Sequence, residues 1–153
     1  EDAVGNFQTP NTTIKNNLKE WINQGRMLND SIDILDAKII NIGIEFDAVS
    51  TVESNPYEVL NQAVSSLAVF YDRKFEIGEP FYIGQIFSHI NNMPGIIDVT
   101  RVKVMQKTGL GYANEVLFNV DDNMSDDDRY IVVPDNAVLE IKYPGQDIKG
   151  GIK

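Results

Sequence analysis

The sequence lacks cysteine and contains a single histidine, His89. Without cysteine, the chain can form neither a disulfide framework nor a thiolate metal site. With one imidazole, most pairs of nucleophile and base are unavailable, and no second histidine can complete an HExxH-type metal site. We therefore predict that His89, at the edge of an apolar helical stripe, is a hydrogen-bonded or partly exposed structural residue.

Basic residues are also scarce. The 153 residues include 13 Lys and Arg against 23 Asp and Glu, which gives a formal net charge of −10. An acidic field repels phosphate and no basic cluster compensates, so nucleic acid is not a predicted partner. No apolar run approaches the roughly 20 residues that span a bilayer, and no signal-peptide pattern opens the chain, so no membrane contact is predicted. The sequence starts at Glu1 without Met, which we interpret as a fragment or a processed product.

The remaining composition is ordinary for a soluble globular protein, with 42% apolar and 24% charged residues. Composition and periodicity divide the chain into five segments. In order, they are a flexible leader (1–12), an N-terminal helix with its connector (13–36), an α+β core (37–106), an irregular insert (107–129), and C-terminal strands with a tail (130–153).

Two stretches have clear periodicity. The first is an amphipathic helix over residues 13–25, whose apolar stripe consists of Ile14, Leu18, Trp21 and Ile22. The second is a strand over residues 38–49, in which apolar side chains alternate with Asn41, Gly43, Glu45 and Asp47. Period two predicts that this strand has one buried face and one solvent-exposed face.

The other elements complete an α+β pattern. Asn55 predicts a helix cap, with Pro56 in the first turn and Glu58 at the capping-box position. A short helix is predicted over 84–92. Strands are predicted over 96–106 (with a bulge), 130–133 and 137–143, before a polar Gly/Lys tail. This order favours two helices on one face of a mixed or antiparallel sheet, a ferredoxin-like sandwich, with an N-terminal helix and a β-rich C-terminal extension.

Two segments suggest a ligand site. Gly109-Leu-Gly111 resembles half of a dinucleotide fingerprint, but Asn114 replaces the third small residue and a β-rich segment follows instead of a helix. We interpret it as a hairpin turn. Glu45, Asp47 and Glu53 are interpreted as the wet face of their strand rather than as paired catalytic carboxylates.

The acidic run from Asp121 to Asp128 holds five Asp in eight residues. Carboxylates at flexible spacing suit calcium, but an EF-hand loop starting at Asp121 would have Asp126 in place of its glycine and Val132 in place of its bidentate glutamate. A solvated loop is the preferred interpretation. The alternative is a calcium-binding protein-interaction module that uses Asp121, Asn123, Asp126 and Asp128. No catalytic constellation is found, so the sequence predicts no enzyme, no cofactor and no small-molecule substrate.

Hydrophobic spacing and turn residues recur in a recognisable order over most of the chain. The stretches are Leu18–Asp30, Ala37–Val49, Asn55–Asp72, Ile77–Val104 and Leu139–Gly150. This combination resembles the C-terminal part of the J-like baseplate proteins of contractile phage tails, and more closely the baseplate wedge proteins of T-even-like bacteriophages. Residues 107–129 match no pattern of that family.

The resemblance implies a structural virion protein of the tail baseplate, assembled in the host cytoplasm and without catalytic residues. Such proteins associate as dimers and then as a ring around the tail hub, where they tie neighbouring wedges together. They belong to the switch that lets the sheath contract. The partners implied by the resemblance are the chain itself, as a dimer within a larger ring, and other baseplate wedge proteins.

An assembly protein needs apolar anchors that its own core does not consume, and aromatic residues, Met and Arg are favoured. We select eight candidates, which are Trp21, Arg26, Met27 and Leu28 in the first helix and connector, Tyr112, Leu117 and Phe118 in the insert, and Tyr143 near the end. The alternative for Trp21 and Leu28 is that they pack in the domain core.

Overall fold

The computed structural model describes residues 1–25, 31–113 and 117–153. Within these ranges the chain is α+β, with four α-helices, a four-stranded mixed sheet and a second sheet of two short strands. The helices are α1 (Thr12–Asn23), α2 (Pro56–Phe70), α3 (Ile83–Asn91) and α4 (Pro144–Asp147). The strands are β1 (Lys38–Ser50), β2 (Phe81–Tyr82), β3 (Ile96–Gln106), β4 (Tyr130–Ile131), β5 (Ala137–Glu140) and β6 (Ile148–Ile152). No helix in the described ranges is long and apolar enough to cross a membrane.

Strand β1 organises the larger sheet. It pairs antiparallel with β3 over residues 42–50, and parallel with β5 over 38–41 and with β6 over 44–48. The β1–β3 register shifts between Asp47 and Ala48, where Thr100 is the extra residue of β3, and again between Val49 and Ser50. The predicted strand is therefore irregular, but not in the imperfectly alternating stretch Val102–Met105 that suggested a bulge, because the pairing there is continuous. Strands β2 and β4 form the small second sheet.

The inward face of β1 is the apolar face that its alternation predicts. Ile44, Phe46 and Ala48 are each at most 1% exposed, and helices α2 and α3 pack on the sheet at β6 and β3. Gly150 of β6 permits this close packing, since a Cβ there would lie 2.4 Å from the Phe46 ring and 2.7 Å from the Leu60 side chain.

The outward face of β1 differs from the prediction. Asn41 is fully buried and Gly43 is buried as well, whereas Glu45 and Asp47 are partly exposed. The prediction of a uniformly wet face is therefore wrong for its first half. The reason is that Lys107 and the Asp147 carbonyl lie over Gly43, where a Cβ would approach them within 2.2 and 2.9 Å.

The C-terminal region also differs. The predicted strand over 137–143 ends at Glu140, and the predicted strand over 130–133 ends at Ile131. The supposed polar tail is strand β6, because Gly150 and Gly151 fit against Phe46 and Asp47 where larger residues would collide. Glycine content was therefore a sign of close strand packing rather than of a loose tail.

The sequence predicts the N-terminal cap of α2 correctly, whereas α1 begins slightly earlier than predicted. Asn55 accepts a hydrogen bond from the Tyr57 amide, 3.1 Å away, and Pro56 occupies the first turn as predicted. Helix α1 begins at Thr12, one residue before the predicted start, and is capped by Asn11, whose side chain accepts from the Ile14 amide at 2.9 Å. Both helices therefore begin at an Asn whose oxygen satisfies an otherwise unpaired amide.

Candidate interaction surfaces

Helix α1 exposes Ile14, Leu18 and Trp21 of its apolar stripe to solvent, while Ile22 is half-buried. None of its residues is buried, and Trp21, Ile14 and Leu18 are 71%, 56% and 44% exposed. The alternative that Trp21 packs in the core of a single chain is therefore wrong. Arg26, Met27 and Leu28 lie outside the described residues, so their predicted role stays a prediction.

Two ion pairs connect α1 to the segment that follows it. Lys15 pairs with Asp36, and Lys19 lies 3.9 Å from Asp33. These side chains are partly exposed, and exposed ion pairs contribute only about 0–1 kcal/mol. A helix held by one cap and two surface ion pairs keeps its apolar face available.

The insert behaves differently, because polar contacts bind it to the sheet. Asn41 is the centre of these contacts. Its side-chain oxygen accepts from the Ala113 amide at 2.7 Å, and its amide nitrogen donates to Glu140 at 2.7 Å. Glu140 also accepts from the Phe7 amide at 2.5 Å, so one buried pair attaches both the insert and the N-terminal arm to β1 and β5.

This network was missed from the sequence. Because Asn41 alternates with isoleucines, the sequence pattern predicts it on the solvent-exposed face of the strand. One available signal was Glu140, a carboxylate set between Leu139 and Ile141 in an apolar strand, since a charge in such a position requires buried partners.

Tyr112 and Tyr143 form a second contact cluster around Asp147. The Tyr112 hydroxyl donates to the Asp147 carboxylate at 2.6 Å, and the Tyr143 amide donates to the other oxygen at 2.9 Å. The two rings meet edge to face, with centroids 5.6 Å apart. The hydrogen bond to Asp147 raises the pKa of Tyr112 to about 12, because ionisation would break the bond and place two negative charges together. Tyr112 is half-buried, while Tyr143 is 38% exposed.

The two remaining interface candidates in the insert differ in their exposure to solvent. Leu117 is 93% exposed, and the neighbouring turn exposes Leu110 fully. Phe118 is only 7% exposed, and its amide donates to the Gln106 side chain at 2.8 Å. The prediction that Phe118 is available to contact a partner is therefore wrong in the single chain, because its ring is buried in the core.

His89 and the Gly109–Gly111 turn, the other candidate sites from the sequence, both have structural roles. His89 is half-buried between two helices, 2.8 Å from the Ser66 hydroxyl, with its ring 4.6 Å from that of Phe70, so the prediction of a hydrogen-bonded structural histidine is confirmed. Gly109 and Gly111 both have positive φ, and the Tyr112 amide closes a turn onto the Gly109 carbonyl at 3.2 Å. The turn is confirmed, whereas the hairpin is not, because no strand follows it between Ala113 and Tyr130 in the described part of the chain.

The acidic run is a hydrogen-bonded surface loop that begins with a 3-10 turn at Asp121–Asn123. The Ser125 hydroxyl donates to Asp127 at 2.7 Å, which lowers the pKa of that carboxyl. Across the described ranges, no group of three or more His, Asp or Glu side chains is placed to hold a metal ion. The calcium alternative thus gains no support from the geometry.

The chain matches no protein-family model and no curated protein.

Proposed function

We propose that this chain is a structural virion protein that mediates subunit contacts in the baseplate ring or wedge of a contractile phage tail. The observation that supports this proposal is helix α1, which has an apolar stripe and no buried residue. Fully burying a large apolar side chain stabilises by about 1.5–3 kcal/mol, so a stripe left in water is a source of association energy. Trp is also among the residues most enriched at energetic centres of interfaces.

A second surface supports the same role. Leu110 and Tyr143 are exposed next to residues that the contacts of Asn41 and Asp147 hold in place, and exposed Leu117 precedes Phe118, whose amide donates to the Gln106 side chain. A rigid display of apolar side chains loses little conformational entropy on binding. One surface on a separate helix and another on an anchored insert suit a chain that contacts more than one neighbour.

The proposal requires neither catalysis nor a cofactor, nucleic acid or membrane, in keeping with the sequence predictions. For the fold, the finer description as a ferredoxin-like sandwich is also a proposal. It is supported by α2 and α3, which both pack on the larger sheet, while the parallel pairing of β1 with β5 and β6 departs from a wholly antiparallel arrangement.

Native mass spectrometry tests the proposal on the chain alone and mixed with other baseplate wedge proteins. We expect concentration-dependent self-association, binding to at least one wedge protein, or both. Trp21→Ala should weaken these associations, because it removes the largest exposed ring of the stripe. Tyr57→Ala is the matched control, since Tyr57 is 79% exposed on α2, away from the stripe. A chain that stays monomeric and binds no wedge protein would contradict the proposal.

A further inference from the structure

A cleft of about 370 Å³ lies between the N-terminal arm and the junction of β5 with α4. Its walls are residues 4–7 of the arm, residues 71–74 at the end of α2, and residues 139–142 with Pro144. The Phe7 amide donates to Glu140 at 2.5 Å, which attaches the arm to the sheet beside the cleft. The volume is at the low end of the roughly 300–1,000 Å³ that is typical of ligand pockets, so it suits a small ligand.

Tyr71, in the wall of this cleft, has a buried hydroxyl without a hydrogen-bond partner. The residue is 3% exposed, and its hydroxyl is the one buried side-chain polar atom in the described ranges that makes no hydrogen bond. Burial raises the pKa of Tyr71, and the charge of Arg73 only partly opposes this effect, so the hydroxyl stays protonated and can donate. Because nearly all buried polar groups in native proteins are paired, this donor points to an acceptor from outside the chain.

Lys142, in the same lining, has a positive charge without an ion-pair partner. The residue is half-buried, and it forms no ion pair with any described residue. Its ammonium lies 5.8 Å from the centre of the Tyr143 ring, which is a weak contact for a charge that is partly removed from water. A half-buried cation of this kind is stabilised by a negatively charged ligand.

The charge of the whole lining favours an anion. Arg73, Lys74 and Lys142 supply three positive charges against the carboxylates of Asp72 and Glu140, a balance of +1 in a chain of net charge −10. Both Glu140 oxygens already accept hydrogen bonds, and Asp72 is exposed, where water and salt screen its charge. Arg73 and Lys74 have carboxylate neighbours at 2.7 and 3.8 Å, so Lys142 is the cation in the lining that is left to pair with a ligand.

We propose that this cleft binds a carboxylate carried on a small apolar group, with the Lys142 ammonium as its counter-ion and the Tyr71 hydroxyl as a hydrogen-bond donor. One negative charge matches the one unpaired cation, and the half-buried side chains of Phe7 and Pro144 provide apolar contacts. The carboxylate belongs either to a free small molecule or to the C-terminal end of a protein chain. The inference goes beyond the proposed function, which requires no ligand.

Isothermal titration calorimetry with hexanoate, and with neutral hexanamide as the matched ligand, tests the role of charge. We expect saturable binding of hexanoate and roughly ten-fold weaker binding of hexanamide, because the charge-assisted contact is lost. Lys142→Gln should weaken hexanoate binding by a similar factor and leave hexanamide binding unchanged. Lys149→Gln is the control, since Lys149 is exposed on β6 outside the cleft. Equal affinity for the two ligands, or unchanged hexanoate affinity in Lys142→Gln, would overturn the inference.

The variant Tyr71→Phe distinguishes a donor to a ligand from a donor within the fold. Removing an unpaired hydroxyl should leave the midpoint of urea denaturation unchanged or raise it, while hexanoate binding becomes several-fold weaker. Tyr57→Phe, exposed on α2, is the control and should change neither measurement. A lower midpoint together with unchanged hexanoate affinity would show that the hydroxyl has a structural partner, such as a bound water, and would overturn the role assigned to Tyr71.

The source of the carboxylate is identified with an acetylated apolar tripeptide, compared with its C-terminal amide. A tripeptide acid that binds more tightly than hexanoate, and an amide that does not bind, would assign the cleft to the end of a protein chain. A tripeptide acid that binds no better than hexanoate would assign it to a free small carboxylate. If neither the tripeptide acid nor hexanoate binds, the inference is wrong, whereas the proposed function, which is argued from other surfaces, is unaffected.

Discussion

Helix α1 and the irregular insert were both predicted to carry interface residues, yet they relate to the core in opposite ways. Helix α1 is regular and capped, but none of its residues is buried. The insert has little regular structure, but Phe118 and Val120 are buried and Ala113 is bound to Asn41. In this chain, therefore, a regular helix need not be buried against the core, and a segment with little regular secondary structure can be bound to it.

The difference has a physical basis. The helix satisfies its own backbone hydrogen bonds, so it needs no tertiary partner to avoid unpaired polar groups. The insert must find partners for its amides elsewhere, and it finds them in the side chains of Asn41 and Gln106.

The largest expected effect comes from truncating one aromatic residue in each region. Phe118→Ala should lower the free energy of unfolding by about 3–5 kcal/mol, because it leaves a cavity in the core. Trp21→Ala should change it by no more than about 0.5 kcal/mol when measured at a concentration where the chain is monomeric. Urea denaturation of both variants provides the comparison. Equal losses would show that α1 is docked after all.

The next effect concerns the buried anchor of the insert. Asn41→Ala should lower the free energy of unfolding by about 1–3 kcal/mol, since it leaves the Ala113 amide without its acceptor and removes one of the two donors to Glu140. Hydrogen exchange at Ala113 should become faster. Asn61→Ala, an exposed substitution on α2, is the control and should leave both measurements near the wild type. Unchanged protection at Ala113 would contradict the proposed anchoring.

A smaller effect distinguishes the two helix caps. Asn55→Ala should lower the global free energy of unfolding by about 1 kcal/mol, because α2 belongs to the core. Asn11→Ala removes an equivalent hydrogen bond from α1, which is not packed. We therefore expect faster hydrogen exchange within α1 and no shift in the denaturation midpoint. A midpoint that falls equally for both variants would argue against local opening of α1.

The smallest effect at neutral pH concerns Tyr112, whose pKa rises from an ordinary value of 10.0 to about 12 in the folded chain. The unfolded state releases this proton first. The stability from the hydrogen bond is thus fully present below pH 10 and is lost as the pH rises towards about 12. Tyr112→Phe should reduce the decline of the free energy of unfolding over this interval. The exposed control Tyr57→Phe should decline like the wild type, and equal slopes in all three proteins would contradict the expectation.

Much of the secondary structure was predictable, because it depends on neighbours in sequence. The alternation along β1 and the Asn-Pro start of α2 are local patterns, and both placed their elements and the inward face of β1 correctly. Burial of Asn41 was not predictable in this way, because its partners Ala113 and Glu140 lie 72 and 99 residues further along the chain. The same limit explains β6, whose glycines are informative only once Phe46 and Asp47 lie beside them.

The sequence by itself determined where α1, β1 and α2 form, and it determined that α1 has an apolar stripe. Only the tertiary structure decided that the stripe of α1 stays exposed while Phe118 is buried. Periodicity and capping depend on residues within a few positions of one another, and these are visible in the sequence. Burial depends on which distant segment covers a surface, and the described chain leaves Ile14, Leu18 and Trp21 of α1 exposed.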